Sequence, residues 1–210
     1  MKKKALLLLT ILALMLPLKA FAKQDNLVFT VSEDGEMLGG EGDEVTVTGR
    51  EIVVTQGKTK IITQKLIYNT KTKVARAFGE CIIINDNMTI NSEEVYFDTE
   101  NNYAKLTGQV KISQEREEKD ITIDADFVEL WTETKDVKAD GNVVINDTEK
   151  IIYGDTLEFS DQTGIAKLFG RLKLIEEDRT LSSPDGTLET NVDKGTYKVT
   201  GQIEFITRVN

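Results

Sequence analysis

The 210-residue sequence contains no histidine and a single cysteine, Cys81. Without histidine, Ser-His-Asp and Cys-His catalysis are excluded, as are metal sites with histidine ligands. A single cysteine excludes an intrachain disulfide, so packing and strand pairing must stabilise the fold. Because no histidine can activate the thiol, we interpret Cys81 as a small buried hydrophobic residue instead of a redox or nucleophilic group.

The sequence also lacks a phosphate-binding loop and an excess of positive charge. It has no G-x-x-x-x-G-K-[ST] motif. Its 26 basic residues face 36 acidic ones, a formal net charge of −10. Residues 1–22 carry four lysines and no acid, so the remaining chain has a net charge of −14. This balance argues against nucleic acid as a partner and against adsorption to an anionic membrane surface.

The N-terminal residues have the features of a secretory signal peptide. Lysines at positions 2–4 precede an apolar run over residues 5–18, and an A-x-A cleavage sequence follows at 20–22. We predict cleavage before Lys23 and export of the remaining chain. The alternative is an uncleaved membrane anchor, but the run of 14 residues is shorter than the ~20 that a membrane-spanning helix needs.

A repeated pattern of alternating residues around a glycine organises the rest of the chain. In Tyr103–Ile112, apolar and polar residues alternate strictly, which predicts a strand with one buried face. Related stretches contain six glycines spaced 29 to 33 residues apart, which indicates a repeat architecture. The glycines are Gly49, Gly79, Gly108, Gly141, Gly170 and Gly201. The stretch at 45–49 is the weakest copy, with Glu51 where the other copies have an apolar residue.

Each unit contains a second strand whose apolar positions are spaced two, three and two residues apart. In one unit these are Ile123, Ala125, Val128 and Leu130. Because side chains alternate along a strand with period two, the step of three predicts a β-bulge or corner at the same height in every unit. Pro184 falls inside this step in another unit, at a place where a strand tolerates proline.

Short connectors rich in Asn, Asp and Gly join these strands, as in β-hairpins. The sequence therefore predicts an all-β fold: an antiparallel twisted β-jelly roll of about five to six two-strand repeats, bent at the bulges into two facing sheets. A parallel β-helix is the alternative fold. We predict a signal peptide at 1–22, an N-terminal strand with an acidic Gly-rich loop at 23–44, and a repeat domain at 45–210.

The inward-facing row of side chains is apolar throughout. Small residues precede the glycines, larger aliphatic residues follow them, and large apolar residues come from the second strands. We predict that they line either an apolar groove for acyl chains or the dry core of an ordinary sandwich. The predicted lining residues are Ala75, Ala77, Ile83, Phe97, Ala104, Leu106, Val110, Ile112, Leu130, Ala139, Val143, Ile145, Phe159, Leu168, Leu172 and Leu174.

The outward-facing row carries a basic residue three positions before each glycine after the first. These residues are Arg76, Lys105, Lys138, Lys167 and Lys198. We predict that they pair with acids of neighbouring strands, and contact with anionic head groups is the alternative. Acids such as Asp124 and Asp126 recur near one position of the repeat, which is more typical of a solvated face than of a glycosidase carboxylate pair. The sequence thus predicts no enzyme activity, no metal site and no cofactor.

The repeated units have the form A-x-L-x-G-x-V-x-I followed by I-x-A-D-x-[VL]-x-[FYL], best seen in Ala104–Ile112 with Ile123–Leu130. Behind a signal peptide, such units resemble the OstA-like family over residues 40–206. The resemblance implies a periplasmic protein that shields lipopolysaccharide acyl chains in an apolar groove and bridges the export components of the inner and outer membranes. It also implies same-fold partners at both membranes and end-to-end docking, including a homo-oligomer. The alternatives are a membrane-anchored partner of the same fold and a structural β-repeat protein that carries no lipid.

Overall fold

The computed structural model describes residues 28–39, 42–56, 58–115, 120–146, 149–191 and 196–207. The predicted signal peptide at 1–22 lies outside them. All regular elements in these ranges are β-strands. A search of the same ranges finds no helix that is long and apolar enough to cross a membrane.

Fourteen strands follow one another along the described chain. Four short strands lie at its two ends: β1 (Val28–Val31), β2 (Glu36–Gly39), β13 (Thr196–Thr200) and β14 (Glu204–Thr207). The strands between them are 10 to 13 residues long. These are β3 (Glu44–Gln56), β4 (Thr59–Asn69), β5 (Val74–Asn85), β6 (Met88–Asp98), β7 (Tyr103–Gln114), β8 (Ile121–Trp131), β9 (Asp136–Asn146), β10 (Ile151–Ser160), β11 (Ile165–Ile175) and β12 (Arg179–Asn191).

Consecutive long strands pair antiparallel from β3 to β12 and form one continuous sheet. The prediction of an antiparallel all-β fold built from two-strand repeats is confirmed, and the parallel β-helix is excluded. Short connections explain this outcome, because parallel neighbours in a flat sheet need crossovers of a dozen or more residues.

Every pair of neighbouring long strands has a register shift near its middle. In β7, Gly108 and Gln109 have φ angles of 80° and 46°, and together they lie opposite Asp126 of β8. Two residues opposite one make a β-bulge, which bends a strand and increases its twist. The sequence predicted the extra residue in the second strand of the unit. In this unit it lies in the glycine strand, because glycine adopts positive φ angles without steric cost. Between β11 and β12 it lies in the second strand, as predicted, where Pro184 and Asp185 stand opposite Arg171.

One face of the sheet is apolar and buried along both halves of the strands. Ile123 and Leu130, which stand on either side of the bend in β8, are each 2% exposed. Within the described residues no helix or second sheet covers this face, so the two halves of the bent sheet must cover each other. The two facing sheets predicted from the sequence are therefore the two halves of one folded sheet.

The stretch predicted as an acidic Gly-rich loop contains a strand, β2. β1 pairs with the second half of β3 and β2 with its first half, so residues 32–35 link them at the height of the bend. β13 and β14 divide β12 between them in the same way. Each edge of the sheet is therefore a strand that is interrupted at the bend.

The first unit, the weakest copy of the repeat, forms the same register shift with one additional residue between Thr48 and Ile52. Ile52 lies opposite Thr63 and is 0% exposed, so it occupies the buried position that Cys81 has in the next unit. Glu51 stays exposed, and its backbone carbonyl accepts a hydrogen bond from the Ser32 N–H at 3.0 Å. The polar residue in this copy is thus moved out of the core.

Candidate functional site

The structure places all sixteen predicted lining residues against one hydrophobic core. Fourteen of them are 7% exposed or less. Ala75 and Leu174 are half-buried and pack against the same core. The alternation of the sequence therefore assigned the inner face correctly, and a role of these residues in binding a lipid stays a prediction.

The interior of the central units is closed to solvent. At the bend, each second strand contributes a small residue and the neighbouring glycine strand a larger one: Ala125 lies opposite Val110, and Gly154 opposite Val143. The space beside Gly154 is filled, because a Cβ there would lie 2.5 Å from the Leu168 side chain. Small residues are thus matched by larger neighbours, as in a well-packed protein core.

The core also contains buried residues that the sequence analysis did not assign to it. Met88 and Ile121, the first residues of β6 and β8, are 1% and 2% exposed. The strict alternation of each strand, continued to its first residue, would have found both. Buried polar residues also lie at the strand ends: the Asn85 Nδ2 donates to the Thr59 Oγ1 at 2.6 Å, and both residues are buried.

The same inner row becomes exposed at both edges of the sheet. Ile112 and Phe205 each stand four residues after a repeat glycine, but Ile112 is 3% exposed and Phe205 is 57% exposed. At the other edge, Phe29 and Met37 pair with core residues of β3 and are 37% and 65% exposed. The apolar row therefore continues onto strands that no further described strand covers.

The basic residues lie in a row of alternating charge on the outer face. Successive strand pairings give the order Lys105, Glu129, Lys138, Glu158, Lys167, Glu189 and Lys198. Within it, the Lys167 Nζ lies 3.1 Å from the Glu189 Oε2. The guanidinium of Arg76 instead lies over the Tyr96 ring, 5.8 Å from its centroid. Lys167 thus matches the predicted pairing with a neighbouring acid, whereas the Lys105 Nζ lies 5.2 Å from the centroid of the Phe127 ring and the Lys138 Nζ lies 3.7 Å from the Asp140 Oδ2 of its own strand. Contact of this row with anionic head groups stays a prediction.

The recurring acids have a structural position that the sequence analysis missed. A Cβ added at Gly108 would lie 2.5 Å from a carboxylate oxygen of Glu93, so this side chain covers the bulge of the next strand. The same contact recurs between Asp155 and Gly170, where the Asp155 carboxylate accepts hydrogen bonds from the Arg171 backbone N–H at 3.0 Å and from its Nε at 2.9 Å. These bonds lower the pKa of Asp155. Glu93 and Asp155 thus each cover a bulge of the next strand.

Cys81 is fully buried, and its Sγ lies 3.5 Å from the Thr63 Oγ1. Burial raises the pKa of the thiol, which keeps it protonated and unreactive. The placement agrees with its interpretation as a core residue. A search of the described ranges finds no group of three or more His, Cys, Asp or Glu side chains that could hold a metal ion.

An antiparallel repeat sheet folded around an apolar interior, with charged residues on its outer face, defines a β-repeat protein organised around its inner face. The sequence profile of the OstA-like proteins matches residues 52–205, and the chain belongs to this family, as the repeat motifs predicted. No curated protein matches the chain significantly in sequence. Among solved structures, the chain is similar to LptH from Pseudomonas aeruginosa, described as the LptA-homologous periplasmic component of the lipopolysaccharide transport device. The identity is 12%, the alignment covers 72% of this chain and 95% of LptH, and the TM-score is 0.34.

Proposed function

We propose that this protein is a periplasmic carrier that holds the acyl chains of lipopolysaccharide against its inner apolar face. It passes the lipid between export components of the inner and outer membranes, and it is exported by cleavage of residues 1–22. The observation that supports this proposal is the continuity of the inner face. It is mainly apolar through every unit from β3 to β12, with buried hydroxyl groups at Thr63, Ser92, Ser183 and Thr190, and it extends onto the exposed strands at both edges.

Acyl chains would replace contacts that the two halves of the sheet now make with each other. Hydrogen bonds run between neighbouring strands within the sheet, so the halves can move apart at the bulges while the strand ladders stay intact. Burying one CH₂ group stabilises by about 0.8 kcal/mol, so a twelve-carbon chain contributes on the order of 9 kcal/mol. The sequence has no phosphate-binding loop, so the work of extracting the lipid from a membrane comes from a partner.

The edges of the sheet are the surfaces that this carrier uses for its partners. An edge strand presents unpaired backbone N–H and C=O groups, and a strand of another molecule can pair with them. Here each edge also exposes apolar side chains of the inner row, such as Met37 and Phe205. Same-fold proteins, including a second copy, would extend both the sheet and the inner face by docking end to end.

A structural β-repeat protein with a dry core is the second candidate. The tight packing of the interior favours it, because the central lining residues are already closed to solvent. A membrane-anchored partner of the same fold differs in residues 1–22, which it would retain. N-terminal sequencing of the protein isolated from cells distinguishes this case, since the proposed carrier begins at Lys23.

Photo-crosslinking with two neighbouring aromatic positions tests whether lipid occupies the interior. Phe97 faces the core at 5% exposure, and the adjacent Tyr96 faces outward. Each is replaced by p-benzoylphenylalanine, cells are irradiated, and adducts are detected by immunoblotting for lipopolysaccharide. We expect an adduct at position 97 and none at 96. No adduct at either position would favour the dry repeat protein, and equal adducts would contradict the assignment of the inner face.

A further inference from the structure

A cleft on the outer face is closed to the central part of the apolar interior. It is open, has a volume of about 1030 Å³, and spans β9 to β12 and the segment 202–204 near the bends. Val143 and Leu172 contribute to its floor, yet they are 0% and 4% exposed. An opening into the core would expose these two residues. The cleft meets the inner row only at the edge of the sheet, where Ile203 lines it and is 45% exposed.

Two rows of side chains line this cleft, together with the apolar residues Val144, Pro184 and Ile203. The first row runs in register across the strands, from Tyr153 of β10 through Lys173 and Ser182 to Glu204 of β14. The second row comes from the bends and consists mainly of charged and carboxamide side chains. Its members are Asn142, Asp155, Arg171 and Gln202. Strand pairing therefore fixes most of the polar groups relative to one another.

The chemistry of the lining suits a neutral ligand with many hydroxyl groups. Two carboxylates, of Asp155 and Glu204, balance the two cations of Arg171 and Lys173, so the cleft does not favour a strongly charged ligand. The Arg171 Nε and Nη2 lie 2.9 and 2.7 Å from the Asp155 Oδ1, which holds two planar polar groups in place. The Asn142 Nδ2 donates to the Asp126 Oδ2 at 3.0 Å, and the Ser182 Oγ donates to the Glu204 Oε2 at 3.3 Å. Carboxylate oxygens accept more than one hydrogen bond, so hydroxyl groups of a ligand can join these oriented groups as further partners.

The cleft also has an apolar platform. The Tyr153 side chain is 36% exposed and is flanked in register by Val144 and Lys173. An aromatic ring at a binding surface provides a large, rigid apolar face together with a hydroxyl group at its edge. A sugar ring has a flat face of C–H groups and a periphery of hydroxyl groups, so it matches this combination.

We propose that this cleft binds a saccharide, with a sugar ring packed on Tyr153 and its hydroxyl groups bonded to the two polar rows. The sugar has two sources, the saccharide part of a carried glycolipid or a free saccharide. The first source rests on the proposed function. It agrees with the geometry, because an apolar interior excludes hydroxyl groups that it cannot hydrogen-bond and leaves them outside the sheet.

Calorimetric titration of the full-length secreted protein with three probes tests this inference. The probes are lipid A, the acyl-free core oligosaccharide released from lipopolysaccharide by mild acid, and the neutral oligosaccharide maltoheptaose. Tyr153→Ala should weaken oligosaccharide binding about tenfold, as expected for a central aromatic contact. Tyr153→Phe keeps the ring and should stay within about twofold. Tyr197→Ala, on a residue 57% exposed and outside the cleft, is the matched control and should have no effect.

A second variant covers the case in which Tyr153→Ala does not fold. Gln202 lies in the exposed link between β13 and β14, so Gln202→Ala should leave the fold intact and weaken oligosaccharide binding about threefold. Binding of the core oligosaccharide with this dependence supports the glycolipid source, and binding of maltoheptaose alone supports a free saccharide. The inference is overturned if neither oligosaccharide binds, or if both variants bind as wild type does. Lipid A binding reports on the proposed function separately, since neither variant should change it.

Discussion

Val143 and Ile203 stand at the same position of the repeat, two residues after its glycine, yet Val143 is 0% exposed and Ile203 is 45% exposed. Both side chains are aliphatic, so their chemistry does not explain the difference. Val143 belongs to β9, which has β8 on one side and β10 on the other. Ile203 lies at the edge of the sheet, where β12 is its neighbour on one side. Burial in this fold is therefore supplied by the neighbouring strand, and among the described residues the terminal unit has such a neighbour on one side.

The different number of neighbouring strands at the centre and at the edge should affect stability. In a repeat array each unit contacts mainly its neighbours, so its stability is approximately the sum of its own stability and that of two interfaces. In the part of the chain that the structure describes, a central unit has both interfaces, whereas a terminal unit has one. Equivalent substitutions at centre and edge should therefore differ strongly in the isolated protein, and partner binding should reduce the difference.

The largest effect is expected for a carboxylate placed in the inner row at the centre. Ile145 and Phe205 each follow a repeat glycine by four residues and are 7% and 57% exposed. Ile145→Asp buries an unpaired charge and should destabilise by about 4 kcal/mol or more, whereas Phe205→Asp should stay within about 0.5 kcal/mol. Chemical denaturation of both variants measures the difference. Similar losses in the two variants would mean that burial does not depend on neighbouring strands as argued.

A smaller contrast is expected between glycines of the bend and of the edge. Gly141 has a φ of 79°, and a Cβ there would collide with the Asp126 side chain, whereas nothing lies within 4 Å of a Cβ at Gly39. Gly141→Ala should cost about 1–3 kcal/mol, because L-residues are strained at positive φ and the carboxylate must move. Gly39→Ala should change the stability by less than about 0.5 kcal/mol. The thermal unfolding midpoints of the two variants measure this difference. Equal midpoints would show that a Cβ at position 141 does not strain the bulge.

The inner face could be predicted from the sequence because strand alternation encodes it directly. Residues such as Leu106 and Ile112 need no knowledge of their partners, since period two alone assigns their side. The acid that covers each bulge could not be predicted in this way, because the contact of Asp126 with Gly141 follows only from the register of β8 and β9. A signal was nevertheless present: the covering acid precedes its glycine by 15 residues here, and Glu93 precedes Gly108 by the same interval.

β2 could not be predicted from the sequence for a physical reason of another kind. Its four residues, Glu36–Gly39, are too short to show alternation, and all four are exposed. They form a strand because the first half of β3 offers free backbone groups to pair with. The sequence also does not show whether the interior is closed, since the match between Gly154 and Leu168 depends on contacts between strands and not on either strand alone.

A pH titration should distinguish the partly buried ion pairs of Glu176 from the exposed row of alternating charge on the outer face. The Glu176 side chain is 11% exposed and contacts both Arg179 and Lys150. Burial opposes its ionisation, but hydrogen bonds and charge from these two residues outweigh burial and lower the pKa of Glu176. Because the folded-state pKa is below the unfolded value of about 4.3, its contribution is present above that pH and is lost as the pH falls through the folded-state pKa.

Glu176→Gln should therefore lower the stability by about 1–2 kcal/mol at pH 7. The difference from wild type should shrink as the pH falls below about 4 and disappear once the wild-type carboxylate is protonated. Denaturation midpoints of both proteins between pH 7 and pH 3 measure this. A difference that is independent of pH would assign the effect to packing instead of charge.

The smallest effect is expected for the row of alternating charge on the outer face. Lys167 and Glu189 are 40% and 45% exposed, and such exposed pairs contribute at most about 1 kcal/mol each. Replacing Lys105, Lys138 and Lys167 together by Gln should leave acyl-chain binding largely intact and reduce its dependence on salt, because exposed charges are screened. Binding of a fluorescent acyl probe in low and high salt, with Lys111→Gln as an outward control beyond the bend, measures the change. If the triple variant folds normally but no longer binds the probe, the row recognises anionic head groups, and the division between a binding inner face and a paired outer face is wrong.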